Sequence, residues 1–271
     1  MIITLFDDSR QDTTGFYINK ALSDLRIDFK HINPLKQAIP KGADYYLLID
    51  DGVDYEIKGN DDKLIYWAID THFSPEQCIK KSKNANYIFT AQKNGIDVLP
   101  NSTWLPLGCD VAMHSANTSV KEYDVCFIGN IYVDSMEKRI KMLDVLFKEF
   151  PNFFYGKRFF REASEKYGKS KIVFNCSLSN DVNMRVFEAM CSGSLLVTDE
   201  IKDNGFDELG LKDGINCVTY KDEKEMVDKV KYYLSNDEER NKIAECGRLW
   251  SLENTYAKRV EKMLDIIGGS K

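Results

Sequence analysis

The sequence has no apolar run long enough to cross a membrane. Its apolar runs, such as YYLLI at 45–49 and SLLV at 194–197, have the length of strands, whereas a helix that spans a bilayer needs about 20 apolar residues. The first residues, MIITLFDDSRQD, carry no basic segment ahead of the apolar stretch, so they do not resemble a secretion signal. These absences predict a cytoplasmic protein without a transmembrane segment.

The spacings of zinc sites and disulfide frameworks are also missing. The chain has seven cysteines but no CxxC pair, and its three histidines form no HxxxH motif. An odd number of scattered cysteines, several within apolar segments, is typical of reduced thiols that pack as small apolar residues. We therefore expect no metal site of the zinc type.

No block of basic residues stands out, because lysines and arginines alternate with acids and the net charge is −6. Proteins that bind nucleic acid through its phosphates carry a basic stripe or patch, so a nucleic-acid partner is not expected. A small local basic site remains open. The composition, 43% apolar and 30% charged, is that of a globular protein.

Two familiar nucleotide-binding motifs are absent. YGKS, which contains Gly168, resembles the end of a phosphate-binding loop, but that motif needs a glycine five residues earlier, where Ala163 stands. No GxGxxG follows the first apolar strand, which argues against an NAD enzyme.

Strand-like and helix-like segments alternate through both halves of the chain. This alternation predicts an α/β protein with mostly parallel sheets and crossover helices. The regularity lapses in a segment rich in Pro, Gly, Ser and Thr near 106–122, which indicates a linker. We predict two domains, 1–110 and 111–271, the second ending in long helices. The predicted helices lie near 15–24, 75–83, 135–149 and 161–167, after Asp181, and from 224 to about 268.

One predicted helix, in SLSNDVNMRVFEAMCSG, carries polar residues that packing does not require. A cap at 179–181 would start it near Val182, and its apolar positions recur at helical spacing. Arg185 then lies in or beside the first turn, where the helix dipole disfavours a cation unless an anion is near. It could form an ion pair with Glu188 or Asp181, or it could bind a phosphate group together with the helix start.

The position of this helix favours the phosphate interpretation. It follows the strand IVFN, so it begins at the carboxyl edge of a parallel sheet, where ligands bind in open α/β folds. Other residues expected at this edge are glycines, which allow close approach, and cations, which suit a diphosphate. They are Gly129, Asn130, Gly156, Lys157 and Arg158.

A second acidic cluster, DDGVD, contains Asp50, Asp51 and Asp54 at the end of another predicted strand. Paired carboxylates can hold a divalent cation. The same letters are also typical of a solvated turn.

Several segments in order resemble the carboxyl-terminal domain of CgeB-like (spore-maturation-type) glycosyltransferases, relatives of the GT-B glycosyltransferases. They are YDVCFIGNIY, VFNCSLSNDVNMRVFEAMCSGSLLVTDE, KYYLSNDEERNKIAECG and NTYAKRVEKML, preceded by YWAIDTHF, ANYIFTAQ and WLPLGCD. The resemblance covers about residues 62–262. It implies a GT-B-like fold of two facing Rossmann-like domains, with a nucleotide sugar held mainly by the second.

The resemblance also implies roles for individual residues. Arg185, with Lys157 or Arg158, would hold the diphosphate, and Glu188 would accept hydrogen bonds from the ribose hydroxyls. Asn180 and Asn183 would line the sugar or the phosphates. Many retaining GT-B enzymes have a glutamate where Asn180 stands, which leaves the identity of the sugar open.

Glycosyl transfer needs charge stabilisation on the departing diphosphate and a positioned acceptor hydroxyl with a base nearby. Besides Arg185, the catalytic candidates are Asp70 and His72, two residues apart in an extended segment and so on one side. Asp70 could equally be a helix cap. The candidate acceptor contacts follow the first strand, in the amino-terminal domain. They are Asp7, Asp8, Thr14 and Gly15.

The leading hypothesis is a metal-independent glycosyltransferase that moves a sugar, by family analogy a hexose with retention, from a nucleotide-diphosphate sugar such as a UDP- or GDP-sugar. The acceptor would be a glycan, a protein or a small molecule, and no cofactor is expected. Two alternatives remain: a metal-dependent transferase that uses the DDGVD carboxylates, and a non-catalytic protein that binds sugar nucleotides or glycans.

Overall fold

The computed structural model describes residues 1–11, 13–55, 63–116, 118, 120–131 and 136–269. The chain divides into two compact units. The first contains Met1–Leu107 with Tyr256–Lys271, and the second contains Gly108–Thr255. Each unit is an α/β layer structure built on its own parallel sheet, which confirms the predicted fold class.

The first unit is built on a sheet of six described strands in the order β2-β1-β3-β4-β5-β6, all paired in parallel. The strands at 2–5, 45–49 and 64–68 are buried almost throughout, as expected when helices cover a parallel sheet. The elements are β1 (Ile2–Leu5), α1 (Gly15–Asp24), β2 (Phe29–Ile32), β3 (Tyr45–Ile49), β4 (Leu64–Ala68), α2 (Pro75–Ser82), β5 (Tyr87–Thr90), α3 (Gly95–Val98) and β6 (Thr103–Trp104).

The second unit is built on five described strands in the order β11-β10-β9-β7-β8, again all parallel. The chain runs from β7 outward to β8 and then crosses back to β9 on the other side of β7. This reversal places a topological switch point between the carboxyl ends of β7 and β9. The elements are α4 (Val111–His114), β7 (Tyr123–Ile128), α5 (Glu137–Glu149), β8 (Phe153–Gly156), α6 (Phe160–Gly168), β9 (Ser170–Phe174), α7 (Met184–Cys191), β10 (Leu195–Asp199), β11 (Val218–Tyr220), α8 (Glu223–Ser235) and α9 (Asp237–Leu252).

The last helix, α10 (Tyr256–Gly268), packs on the first unit. The Tyr256 ring stacks on Tyr17 of α1 with 5.1 Å between ring centroids. Arg259 Nε donates to the carbonyl oxygens of Pro106 and Leu107 at 3.0 and 3.1 Å. The sequence-based division at residue 110 assigned this helix to the second domain, because helix periodicity does not reveal which layer a terminal helix will cover.

The helix singled out in the sequence, α7, starts two residues later than expected. Asn183, rather than a residue of 179–181, is its N-cap. The predicted apolar face, Val182, Val186, Ala189 and Met190, is buried, so its packing side was predicted correctly. Of the predicted helices, the one near 135–149 begins at Glu137 with Met136 as its N-cap, and Ser135 lies outside the described residues.

Among the helices that the structure describes, none combines the length and the apolar character needed to cross a membrane.

Candidate functional site

Arg185 lies at the switch point of the second sheet. It is the second residue of α7, and its guanidinium reaches back to both strands that border the reversal. Nε donates to the carbonyl oxygen of Ile128, the last residue of β7, at 2.8 Å, and Nη1 donates to Oδ1 of Asn175, directly after β9, at 2.6 Å. The guanidinium carbon lies 4.2 Å from the centroid of the Phe127 ring. The cation is therefore held in one orientation between the carboxyl ends of β7 and β9.

The two local ion pairs considered for Arg185 are not used. Asp181 instead accepts from the backbone N–H groups of Leu178 and Ser179 at 3.0 and 3.2 Å. No carboxylate of the described residues forms an ion pair with Arg185, whose guanidinium donates to two neutral oxygens and lies over an aromatic ring. The positive charge thus stays uncompensated beside a helix start, which is an environment that favours an anion.

A second arginine, Arg139 of α5, donates hydrogen bonds to the same edge of the sheet. It was not predicted from the sequence. Its Nε and Nη2 donate to the carbonyl oxygen of Cys176 at 3.2 and 2.8 Å, and its Nη1 donates to that of Asn130 at 3.3 Å. Burial, with the nearby Arg185 charge as a second cause, lowers the pKa of Arg139 to about 10. Arg139 thereby ties together the loops that follow β7 and β9.

The signal for Arg139 was present in the helix pattern. Arg139 occupies the first position of the buried stripe that continues through Met142, Leu143 and Leu146. A charged residue on an apolar stripe must find partners for its hydrogen-bond donors, and main-chain carbonyls at a sheet edge provide them.

Gly129 is required by Arg185. A Cβ atom at this position would lie 2.3 Å from Nη2 of Arg185, whereas one at Gly156 would meet Nη1 of Arg158 at an ordinary 3.5 Å. The Gly129 N–H donates to the carbonyl oxygen of Gly156 at 3.2 Å. The expected close approach at Gly129 therefore exists, and its direct partner is the arginine.

Lys157 and Arg158 follow β8, the strand beside β7, and both are exposed. Arg158 Nη1 donates to the carbonyl oxygen of Lys157 at 2.8 Å, and the Lys157 ammonium lies 5.3 Å from the ring centroid of Phe159. Neither pairs with a carboxylate in the part of the chain that the structure describes. The carboxyl edge formed by β8, β7 and β9 thus carries three cations, as the sequence predicted.

The two asparagines of the predicted site differ in what they contact. Asn180, with a φ of +57°, donates from Nδ2 to the carbonyl oxygen of Lys202 at 2.6 Å and accepts from its N–H at 2.9 Å. Its amide therefore joins two loops. Asn183 makes no capping bond with its side chain, and its buried Oδ1 has no partner among the described residues, so it offers an acceptor at the start of α7.

Glu188 lies one turn after Arg185, and its side chain is only 14% exposed. Its Oε1 lies 3.7 Å from Nε2 of His114, at the end of α4. Burial lowers the pKa of His114 to about 3. The sequence pointed to Glu188 but not to His114, because a lone histidine in a linker carries no pattern.

Comparison with known proteins identifies the family of this chain. A family model described as glycosyl transferase-like matches residues 121–265, more than half of the chain. The chain belongs to the glycosyl transferase-like family. No curated protein sequence matched it.

Solved structures similar over the whole chain establish the GT-B fold. HepE of Anabaena, in complex with UDP and glucose, has a TM-score of 0.70 at 11% identity, with 99% of each chain covered. Sucrose-phosphate synthase of Thermosynechococcus elongatus has a TM-score of 0.67 at 7% identity, over 100% of this chain and 99% of that one. An α-glucosyltransferase in complex with UDP-glucose and DNA containing an abasic site has a TM-score of 0.70 at 9% identity, over 98% of both chains. The predicted GT-B-like architecture is confirmed at the level of the fold.

In this member of the family, Asp70 and His72 lie on a turn rather than in an extended segment. The Asp70 carbonyl oxygen accepts from the N–H groups of Phe73 and Ser74 at 3.0 and 3.2 Å. Asp70 is exposed, whereas His72 is half-buried with its ring 4.2 Å from that of Phe73. The expected extended conformation is wrong here, and the strand alternation from which a shared side was predicted does not apply to a turn.

The predicted acceptor contacts are largely engaged within the first unit. Asp7 accepts from Ser9 and from Asn33, and these hydrogen bonds, led by that from the Ser9 N–H, lower its pKa. Asp8 accepts from Lys36 at 2.8 Å. At the start of α1, the carbonyl oxygen of Thr14 accepts two backbone N–H groups, and a Cβ atom on Gly15 would lie 2.4 Å from the ring of Phe6. The bare backbone of Gly15 accommodates that ring.

The DDGVD carboxylates have separate partners. Asp50 pairs with Lys81 at 2.8 Å, with side chains only 5% and 3% exposed, and Asp54 pairs with Lys80 at 2.5 Å. Asp51 accepts from the N–H of Asp7 at 2.7 Å and from the hydroxyl of Tyr55. Among the described residues, no group of three or more acidic, histidine or cysteine side chains is arranged to hold a metal ion. A metal bound at DDGVD would have to displace these partners.

Proposed function

We propose that this chain is a cytoplasmic GT-B glycosyltransferase whose second unit binds a UDP-sugar, and that a hexosyl group passes from it to a hydroxyl acceptor without a metal ion. The observation that carries the proposal is Arg185, a cation without a described carboxylate partner that is fixed at the switch point beside the start of α7. The UDP and UDP-glucose bound by the similar structures support the choice of donor. The sequence segments that resemble CgeB-like glycosyltransferases support membership of that subgroup.

In this proposal the donor diphosphate lies along the edge formed by β7, β8 and β9. Arg185 supplies a fixed charge, and Lys157 and Arg158 supply two flexible ones. The positive end of the α7 dipole, which begins at Met184, can add to the same field. Groups aimed at the leaving diphosphate stabilise the charge that develops as the bond between the sugar C1 and the phosphate oxygen breaks.

The remaining side chains of the edge have complementary roles. Glu188 accepts hydrogen bonds from the ribose hydroxyls, and Asn183 Oδ1 accepts one from a sugar hydroxyl or from a water between sugar and protein. Asn180 acts on the site through the loop that it joins to Lys202. Asp70 and His72 are the candidates to receive the acceptor proton as the new bond from oxygen to C1 forms.

Donor binding is tested by thermal denaturation and titration calorimetry with UDP, GDP, ADP, dTDP and UDP-glucose. A ligand at 100 times its dissociation constant adds about 2.7 kcal/mol to the free energy of unfolding, so UDP should raise the melting temperature of the wild type clearly. Arg185→Ala should lose most of this shift. Arg161→Ala, at a side chain 82% exposed in the same unit, should keep it. No shift with any nucleotide at millimolar concentration would refute the proposal.

Catalysis is tested by UDP release from UDP-glucose in the presence of candidate acceptors, with and without EDTA. Release that persists in EDTA and is lost in Arg185→Ala is expected. Loss of activity in EDTA with intact UDP binding would favour the metal-dependent alternative. UDP binding without release or transfer would favour a non-catalytic sugar-nucleotide-binding protein. The anomeric configuration of the product, followed by NMR, decides between retention and inversion.

A further inference from the structure

The short helix α4 fixes the ring of His114 in one orientation. Asp110 is the N-cap, and its carboxylate accepts from the N–H of Met113 at 2.8 Å. The Asp110 N–H in turn donates to Nδ1 of His114 at 3.0 Å, and the His114 N–H donates to the carbonyl oxygen of Asp110 at 2.8 Å. Residues 110–114 therefore form a closed turn that holds the imidazole at both the main chain and the ring.

This arrangement decides which ring nitrogen carries the proton. Nδ1 accepts a hydrogen bond, so in the neutral imidazole the hydrogen is on Nε2. The ring stays neutral near pH 7 because its burial lowers the pKa to about 3. His114 is thus a neutral donor whose Nε2–H faces away from its own helix.

That donor faces Glu188. Nε2 and Oε1 are 3.7 Å apart, and the two side chains are 2% and 14% exposed. The spacing exceeds a hydrogen bond of about 3 Å, so the carboxylate would have to shift toward Nε2 to form one. A carboxylate steadied on one oxygen keeps the other oriented for a ligand, as supporting hydrogen bonds do for groups in binding sites.

We propose that His114 is a positioning residue for Glu188 and that it gives the site its preference for a ribose with free 2′ and 3′ hydroxyls. The inference rests on the proposed function and deepens it, because it names the sugar of the nucleotide as the part of the donor that His114 affects. The competing explanation is that His114 serves only the turn at 110–114.

Two substitutions separate these explanations, because each keeps one end of the ring. In His114→Gln the amide nitrogen can take the place of Nε2 facing Glu188. In His114→Asn the amide lies near the position of Nδ1, where it can serve Asp110, and it does not reach Glu188. A positioning role predicts that the glutamine variant keeps nucleotide affinity and the asparagine variant loses it. If His114 serves only the turn, His114→Asn should be more stable than His114→Gln. Neither variant should then lose affinity for one ligand more than for the other.

The measurement is the dissociation constant, by titration calorimetry, for UDP and for 2′,3′-dideoxy-UDP. Removal of a hydrogen bond to a charged group changes an equilibrium by about tenfold or more. We expect His114→Asn to weaken UDP by about that factor and dideoxy-UDP less than about twofold. His114→Gln should stay within about threefold of the wild type for both ligands. Glu188→Gln, which leaves His114 in place, should likewise weaken the binding of UDP more than that of dideoxy-UDP.

Each outcome decides the inference. Equal weakening of both ligands in His114→Asn, or no change in either, overturns it. If wild-type protein binds UDP and dideoxy-UDP equally, Glu188 does not contact the ribose, and the inference fails while donor binding by the second unit stands. If wild-type protein binds no UDP, the proposed function itself fails. Should His114→Asn not fold, Glu188→Gln and His114→Gln measured with the two ligands still test the ribose selectivity.

Discussion

Nη1 of Arg185 donates to Oδ1 of Asn175 at 2.6 Å, and Asn175 is completely buried. The other end of the Asn175 amide donates from Nδ2 to the hydroxyl of Thr198 in β10 at 2.9 Å. The hydroxyl of Tyr220 in β11 donates to the Asn175 carbonyl oxygen at 3.0 Å. Asn175 is thus tied to β10 through its side-chain amide and to β11 through its main-chain carbonyl, and its neutral amide holds the arginine without cancelling its charge, which leaves the charge available to an anion.

Replacement of Asn175 should weaken donor binding more than it destabilises the fold. Asn175→Ala removes the acceptor that orients Arg185, and we expect UDP affinity to fall about tenfold or more, the effect of one hydrogen bond to a charged group. Asn175→Asp should weaken UDP as well, because a carboxylate would pair with Arg185. Thr198→Val is the matched control, since it removes the far partner of the amide and keeps the arginine contact. Calorimetric titration with UDP checks this, and an equal loss in Thr198→Val would contradict it.

The two glycines at the edge should respond differently to the same change. Gly129→Ala forces Nη2 of Arg185 away from a Cβ atom at 2.3 Å, whereas Gly156→Ala meets nothing closer than 3.5 Å. We expect Gly129→Ala to lower UDP affinity at little cost in secondary structure and Gly156→Ala to leave affinity unchanged. Nucleotide titration with circular dichroism measures both. Wild-type affinity in Gly129→Ala would show that Arg185 does not need its present orientation.

Arg139 should matter chiefly for stability. Arg139→Met leaves the carbonyl oxygens of Cys176 and Asn130 without their buried donor, so we expect a loss of about 2–4 kcal/mol in the free energy of unfolding. Lys141→Met is the control on the same helix, because the Lys141 side chain is 69% exposed and its ion pair with Glu223 lies at the surface, which makes a change under about 1 kcal/mol the expectation. Urea denaturation gives both values. Similar losses in the two variants would argue against a special role for Arg139.

His114 should make the protein sensitive to acid. Its folded-state pKa, near 3, lies below the ordinary 6.5, so between these values the unfolded chain binds a proton that the native ring does not. The free energy of unfolding therefore falls as the pH drops through this window, by up to about 1.4 kcal/mol per pH unit. His114→Gln lacks this contribution.

The difference between wild type and His114→Gln should accordingly shrink by about 2 kcal/mol between about pH 7 and pH 5. Glu188 is a titratable group that faces the ring, and Asp110, whose main-chain N–H contacts Nδ1, carries a second carboxylate close in sequence. Repeating the pair of measurements in a Glu188→Gln background removes the first of these carboxylates from the comparison. A difference independent of pH in both backgrounds would show that the native ring titrates normally.

Local sequence patterns were sufficient to predict where much of the candidate site lies in the second unit. Arg185, Lys157 and Arg158 were predicted at one sheet edge because each follows a strand or begins the helix after it, and parallel strands end together. The buried stripe of α7 followed from its spacing. Assigning a start to α7 was less accurate, because Ser179, Asn180, Asp181 and Asn183 are all good caps.

Two of the predicted side chains have partners that lie far away in the sequence, and one predicted extended segment is a turn. Asn180 was expected to face a ligand, but its amide bonds the backbone of Lys202, 22 residues away. Asp50 was considered as a metal ligand, but it pairs with Lys81, 31 residues away. Asp70 and His72 were placed by strand alternation, but the chain turns there.

The sequence by itself determined the layers of this protein. The alternation of strands and helices favours two parallel sheets covered by helices, because every strand and helix has apolar surface that must be buried. The polar residues just after the strands mark the carboxyl edges of the sheets. Tertiary structure alone decided which charges remain available. Whether a cation at an edge is compensated depends on side chains brought near by strand order, and at Arg185 that order supplies the oxygens of Ile128 and Asn175 and the ring of Phe127 rather than a carboxylate. The charge that makes this edge a candidate donor site is therefore a consequence of the β7–β9 reversal.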